Sequence, residues 1–142
     1  MKKYIVIYNK NSRGKNYSKN ELELIFSSHD INAEIFVTSE VKDVDIVIQN
    51  YINPKEYLYC AIGGDGTLNS LINSLLVNNI NNPEVACIAS GSGSDFLRTF
   101  AMPSDINQAL LRIKSNQNYS VDVSLIESKS NSRYFINVLN YG

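Results

Sequence analysis

The sequence has few of the residues that build metal centres and disulfide frameworks. Its 142 residues include two cysteines, Cys60 and Cys87, one histidine, His29, and no tryptophan. Both cysteines stand in short apolar segments, where a reduced, buried thiol is the ordinary state in a cytoplasmic protein. A single histidine with no cysteine or second histidine near it does not predict a metal site or a catalytic base.

An excess of one charge and a long hydrophobic run are also missing. Thirteen basic and fourteen acidic side chains give a formal net charge of −1. This balance argues against binding of nucleic acid or anionic lipid through an overall positive charge. No run approaches the roughly 18 apolar residues of a membrane-spanning helix, and residues 4–8 are too few for the core of a signal peptide. We therefore expect a cytoplasmic protein that binds no nucleic acid and whose anion site is local.

Short β-branched runs alternate with helical patterns along the chain. Strands are predicted at residues 4–8, 33–38, 57–62 and 85–89. Residues 42–52 fit a helical stripe or a strand, and we favour a helix that ends before Pro54. A further helix is predicted to open at Pro103-Ser104, and residues 119–126 and 134–139 predict a closing hairpin. The alternation favours an α/β fold with an open, mostly parallel sheet and helices on both faces, in one domain that covers residues 1–142.

Polar loops, most of them with glycine, follow three of the predicted strands. They are residues 9–15, 63–67 and 90–94. Because ligands of open α/β sheets bind at the carboxyl ends of the strands, these loops are expected to form one site. Their coincidence is a stronger indication of function than any one loop.

The strongest local signal is Gly63-Gly64-Asp65-Gly66-Thr67, between a predicted strand and a predicted helix. Glycines let a phosphate approach the backbone closely, and the free N–H groups at a helix's amino end attract an anion. Thr67 adds a hydroxyl donor, and Asp65 would hold Mg²⁺ directly or through water. The alternative is a tight turn in which Asp65 caps the helix. The segment fits neither the Walker A pattern nor G-x-G-x-x-G.

Three weaker signals each have two interpretations. The segment from Gly91 to Asp95 is a second phosphate loop with a second carboxylate, or a glycine turn that caps a short helix. Asp122, inside an apolar strand, points outward or joins a buried polar network with Asp65 and Asp95. The basic residues between positions 10 and 19, which include Lys15, form a solvated surface or contact nucleotide phosphates.

In this order the motifs resemble the catalytic domain of the diacylglycerol kinase family, which includes bacterial lipid kinases and sphingosine kinases. The segment from Ile62 to Asn69, followed by Ile72-Asn73, is similar to the family's GGDGT segment. Residues 9–15 resemble its first loop, Ser90 to Arg98 its second glycine loop, and the closing strands resemble those that lead into a second domain. The similarity covers the whole chain, although GGDGT alone also occurs in NAD kinases and phosphofructokinases.

The resemblance implies a nucleotide-binding domain that uses ATP and Mg²⁺ and stops near the start of a β-rich second domain. That second domain would hold a lipid substrate and supply the general base, so this chain alone would be inactive. The resemblance implies a catalytic role for Asp65 and a magnesium network of Asp65, Asp95 and Asp122. The implied nucleotide contacts are Asn9, Lys15, Thr38, Gly63, Gly64, Gly66, Thr67, Gly91 and Ser92.

Some positions depart from the family pattern. Lys10 and Ala89 replace prolines, Ser70 replaces a glutamate, and Ser92 and Ser94 replace a threonine and an asparagine. Ser92 keeps a hydroxyl, whereas Ser70 and Ser94 lose larger polar groups that would position substrate. Two alternatives to a lipid kinase therefore stay open: a non-catalytic nucleotide-binding module or degenerate kinase, and an NAD kinase relative. A homodimer and transient contact with the membrane surface are left open too.

Overall fold

The computed structural model describes residues 2–11, 16–90 and 105–115, and the backbone of residues 121–127 and 132–138. Strands and helices alternate through most of this length. The elements are β1 Lys3–Asn9, α1 Lys19–Ser28, β2 Ala33–Thr38, α2 Val41–Gln49, β3 Tyr57–Gly63, α3 Asp65–Val77, β4 Glu84–Ala89, α4 Ile106–Lys114, β5 Val121–Glu127 and β6 Ser132–Val138. The first four strands form a parallel sheet in the order β2-β1-β3-β4, and β5 pairs with β6.

Helices cover both faces of the parallel sheet, as predicted. Successive side chains of a strand point to opposite faces, so Val6 of β1 packs towards α1 and α4 while Ile5 and Ile7 pack towards α2 and α3. Strands that are buried on both faces need apolar residues at every position. This requirement explains why residues 4–8 form an unbroken apolar run instead of an alternating one.

The ambiguous segment after β2 is the helix α2, so the favoured prediction is confirmed. The Asp43 carboxylate accepts hydrogen bonds from the backbone N–H groups of Ser39 at 3.1 Å and Glu40 at 3.0 Å, which closes a capping box at the helix start. Val44 and Ile48 are buried beneath the helix. Burial of one apolar stripe outweighs the strand preference of the β-branched residues, because tertiary packing overrides local propensity.

The predicted closing hairpin is present as an antiparallel pair of strands, and β6 runs beside α3. Its turn, residues 128–131, lies outside the described part of the chain. The helix predicted to open at Pro103-Ser104 begins at Ile106. Asp105 is its N-cap, and the Asp105 carboxylate accepts a hydrogen bond from the backbone N–H of Gln108 at 3.1 Å.

The two cysteines are free and lie on opposite faces of the sheet. Cys60 packs with the α1 and α4 side, whereas Cys87 packs with the α2 and α3 side. Burial raises the pKa of both thiols, that of Cys87 to about 12, so both stay protonated at neutral pH. His29 Nε2 lies 2.8 Å from Asn107 Oδ1, and this contact links the end of α1 to α4.

Candidate functional site

The carboxyl ends of the four parallel strands meet at one edge of the sheet. Asn9 of β1 pairs in register with Thr38 of β2, and Gly63 of β3 pairs with Ala89 of β4. Strands β1 and β3 are neighbours, but the chain leaves β1 towards β2 on one side and leaves β3 towards β4 on the other. Such a reversal of strand order opens a crevice between the loop after β1 and the loop after β3. Open α/β sheets bind their ligands in crevices of this kind.

One side of this crevice is built from the ends of β1 and β2. Asn9 Oδ1 accepts a hydrogen bond from the backbone N–H of Asn11 at 2.9 Å, which folds the start of the first loop back on itself. The backbone N–H of Lys10 donates to the carbonyl oxygen of Thr38 at 3.1 Å. Asn11 Nδ2 donates to the carbonyl oxygen of Ser39 at 3.4 Å. The two loops are therefore tied together at their bases.

Thr38 is more deeply buried than a residue whose side chain only contacts a ligand. Its side chain is 4% exposed, and its hydroxyl donates to the carbonyl oxygen of Tyr8 at 3.5 Å. The structure thus brings Thr38 to the predicted edge and shows that it also holds β2 to β1.

The glycine segment forms the other side of the crevice. Gly64 is the N-cap of the 13-residue helix α3, and Asp65 is its first residue. The alternative in which Asp65 caps the helix is therefore wrong, because Gly64 occupies that position and α3 has no side-chain cap. The first intrahelical bond at this end joins the N–H of Leu68 to the carbonyl oxygen of Gly64 at 3.2 Å. The N–H groups before it belong to the first turn of the helix, at its positive end.

The packing of the described residues does not require glycine at position 64 or 66. Apart from its chain neighbours and its own helix, a Cβ atom built on either glycine would meet no heavy atom of the described residues within 4 Å. Gly64 has φ −106° and ψ −164°, an extended conformation that other residues adopt. The bare backbone therefore faces open space, in which a ligand could approach the amino end of α3 closely.

Asp65 and Ser90 connect this segment to β4. Burial raises the pKa of the Cys87 thiol most, and the charge of the Asp65 carboxylate raises it further. The backbone N–H of Ser90 donates to the carbonyl oxygen of Gly63 at 3.3 Å, and Ser90 is buried. The third loop therefore starts against the glycine segment, as its position in the sequence predicts.

Several predicted site residues lie outside the residues whose side chains the structure describes. They are Lys15, Gly91, Ser92, Asp95 and Asp122. The backbone of β5 pairs Asp122 with Asn137, and the predicted network of Asp65, Asp95 and Asp122 stays a prediction. Within the described ranges, no three histidine, cysteine or acidic side chains come together as a metal site.

The structure adds Asn69, which sequence reasoning had quoted only as part of a motif. Asn69 follows Asp65 by four residues on α3, and its Oδ1 atom is buried without a hydrogen-bond partner among the described residues. A polar residue four positions after the site aspartate, on the same side of the helix, is the signal that could have found it. Ser70, which departs from the family pattern, donates from Oγ to the carbonyl oxygen of Gly66 at 3.0 Å.

Comparisons with known proteins agree with this geometry. Residues 3–126 match the diacylglycerol kinase catalytic domain. The chain is 32% identical over 138 residues to the diacylglycerol kinases of Staphylococcus aureus strains JH9 and Newman, a match that covers 94% of this chain and 41% of each relative. The chain thus spans about two-fifths of the length of these curated relatives.

A solved structure supports the same assignment. The diacylglycerol kinase structure from Bacillus anthracis str. Sterne superposes with a TM-score of 0.66 at 27% sequence identity, over 86% of this chain and 42% of that one. These comparisons favour the diacylglycerol kinases over an NAD kinase relative. No helix within the described ranges is long and apolar enough to cross a bilayer. The match over most of the chain, together with the shared open sheet, shows that this chain belongs to the diacylglycerol kinase catalytic domain family.

Proposed function

We propose that this chain is the ATP-binding part of a lipid kinase that transfers the γ-phosphoryl group of ATP to a lipid hydroxyl. The observation that carries the proposal is the pair of bare glycines, Gly64 and Gly66, at the amino end of α3. Among the described residues they leave open space at the sheet's carboxyl edge, and no contact there requires glycine. A helix of 13 residues directs its positive end to that space, and an anion such as a nucleotide phosphate suits it.

Different residues of the chain would bind the phosphates and the cation, according to their chemistry. The backbone of Gly63, Gly64 and Gly66 and the hydroxyl of Thr67 would donate hydrogen bonds to phosphate oxygens. Asp65 would hold the hydrated cation beside the phosphates, because Mg²⁺ prefers carboxylate and water oxygens. When bound, Mg²⁺ neutralises charge on the β- and γ-phosphates. Positioned donors and neutralised charge are most of what a phosphoryl transfer requires of a protein.

Asn9 and Thr38 would form the nucleotide's other wall, since they end β1 and β2 across the crevice from Gly64. Lys15, Gly91 and Ser92 are proposed as further phosphate contacts, and Asp95 and Asp122 as partners of Asp65 in the magnesium network. The lipid acceptor and the general base would come from a second domain of the kind the resemblance implies.

Nucleotide binding by this chain is testable by thermal melting. ADP with Mg²⁺ at about ten times its dissociation constant should stabilise the fold by about 1.4 kcal/mol, which raises the melting temperature on the order of 3–6 °C. Binding should weaken with salt because phosphate contacts dominate it. Lys15→Ala and Thr67→Ala should each reduce the shift. His29→Ala, at the carboxyl end of α1, should leave the shift unchanged and is the control.

A melting temperature that stays constant up to millimolar nucleotide would contradict the proposed nucleotide site. Because Thr67 is buried, its replacement also lowers the starting melting temperature. The shift, and not the absolute melting temperature, is therefore the quantity to compare among the variants.

The lipid half of the proposal has a separate test. We expect this chain alone to form no phosphatidic acid from labelled ATP, Mg²⁺ and diacylglycerol micelles, because no general base is identified among its residues. The measurement is the label recovered in extracted lipid. Steady lipid labelling by the purified chain would show that it contains a complete acceptor site, and nucleotide binding in the melting assay would be unaffected by either result.

A further inference from the structure

One flank of α3 carries a row of polar residues, which we call the Asp65 flank: Asp65, Asn69 and Asn73. Residues four apart on a helix lie on the same side, about 6 Å apart along the axis. The opposite flank packs against α2, where Ser74 Oγ donates to Asp45 Oδ1 at 2.5 Å. The Asp65 flank therefore turns away from α2.

Within this flank, the side chain of Asn69 has a hydrogen-bond acceptor without a described donor. Its Oδ1 atom is buried and receives no hydrogen bond from the residues that the structure describes. Its neighbour Asn73 donates from Nδ2 to the backbone carbonyl of Asn69 at 2.8 Å and so does not satisfy the side-chain oxygen. A buried acceptor without a donor costs free energy, and asparagine is also a poorer helix former than leucine. The donor that compensates this cost should therefore arrive from outside the described fold.

Hydrogen-bonding chemistry narrows the choice of that donor. Phosphate oxygens only accept hydrogen bonds, so a nucleotide's phosphates cannot satisfy Asn69 Oδ1. Mg²⁺ keeps several waters when it binds a protein, and each of these waters is a donor. Asn69 stands one helical turn behind Asp65, the residue proposed to hold the cation. Because Mg²⁺ keeps several waters, a cation-bound water can bridge from an ion held by Asp65 to Asn69.

We propose that Asn69 Oδ1 accepts a hydrogen bond from a water of the hydrated divalent cation, so that Asn69 is a positioning residue for the cation that Asp65 holds. This inference rests on the proposed function. It predicts that substitution of Asn69 weakens binding of the cation and leaves binding of the nucleotide's phosphates unchanged.

The test is a magnesium titration at fixed ADP, followed by the melting temperature of this chain. Asn69→Leu should leave the ligand-free melting temperature equal or higher, because it removes the unsatisfied acceptor. It should also leave the shift given by ADP in excess chelator unchanged. The Mg²⁺ concentration at half of the magnesium-dependent shift should rise about tenfold, the worth of one hydrogen bond to a charged group.

Asn69→Asp supplies the matching conservative variant, since it keeps the acceptor and adds a negative charge. Its magnesium midpoint should be at or below that of the unsubstituted chain, whereas a merely structural asparagine would show no such rescue. Asn78→Leu, at the far end of α3, is the control and should leave the midpoint unchanged.

Two kinds of result separate failure of this inference from failure of the proposed function. An unchanged magnesium midpoint in Asn69→Leu, an equal loss of the metal-free ADP shift, or a midpoint raised in Asn69→Asp would overturn the role of Asn69 while the nucleotide site stands. The absence of any shift with Mg²⁺ and ADP in the unsubstituted chain would overturn the proposed function and this inference with it.

Discussion

Gly64→Val is expected to abolish kinase activity in the complete protein while the fold of this domain stays intact. Apart from the chain neighbours, a Cβ atom at position 64 meets no atom of the described residues within 4 Å, and valine adopts the extended backbone of this residue readily. The same side chain would occupy the space proposed for phosphate. Since the loss of one preorganised donor at a reacting group costs about a hundredfold or more in rate, a blocked phosphate loop should cost at least that.

The measurement pairs the phosphoryl-transfer rate with the melting temperature. Glu23→Val, on the exposed face of α1, adds the same side chain away from the site and should change neither quantity. Near-normal activity together with a lowered melting temperature would show instead that Gly64 serves a structural turn.

Asp65→Asn is expected to have a similar effect for a different reason. The substitution keeps the size of the side chain but removes the negative charge that would hold the cation. The fold should lose little, because an acidic residue in the first turn of a helix is worth about 0.3–1 kcal/mol. Activity should fall steeply at fixed Mg²⁺ and recover in part as Mg²⁺ is raised. Activity that falls equally at all Mg²⁺ concentrations would contradict a role at the cation.

Leu71→Ala is expected to cause the largest loss of stability. Leu71 is fully buried between α3 and the sheet, and truncation of a buried leucine costs about 2–5 kcal/mol in the free energy of unfolding. Because α3 carries the glycine segment at its amino end, loosening of its packing should also weaken nucleotide binding. Chemical denaturation measures the first effect, and the melting shift with ADP measures the second.

The matched control is Leu24→Ala, since Leu24 is 70% exposed on α1. This substitution should change the free energy of unfolding by no more than about 0.5 kcal/mol. Equal losses at positions 24 and 71 would contradict the core assignment.

Three features show which parts of the fold local sequence patterns predict: β2, α2 and the start of α3. The strand at residues 33–38 matches β2 at both ends, because its β-branched run and its polar neighbours are local signals. The helix α2 was ambiguous, because its type depends on whether Val44 and Ile48 have a sheet to cover. Asp65 was open to two readings, and the backbone conformation decided that Gly64 is the cap.

The sequence by itself determined the alternation of elements, the three loops at strand ends and the family resemblance, since these depend on residues that are near each other in the chain. The tertiary structure alone decided which loops face each other. The strand order β2-β1-β3-β4 brings the ends of β1 and β3 side by side. It also brings the charge of Asp65 near enough to raise the pKa of the Cys87 thiol and leaves the Asn69 oxygen buried without a described donor. These are contacts between distant parts of the chain, and local periodicity carries no information about them, because it records only which face of each element is apolar.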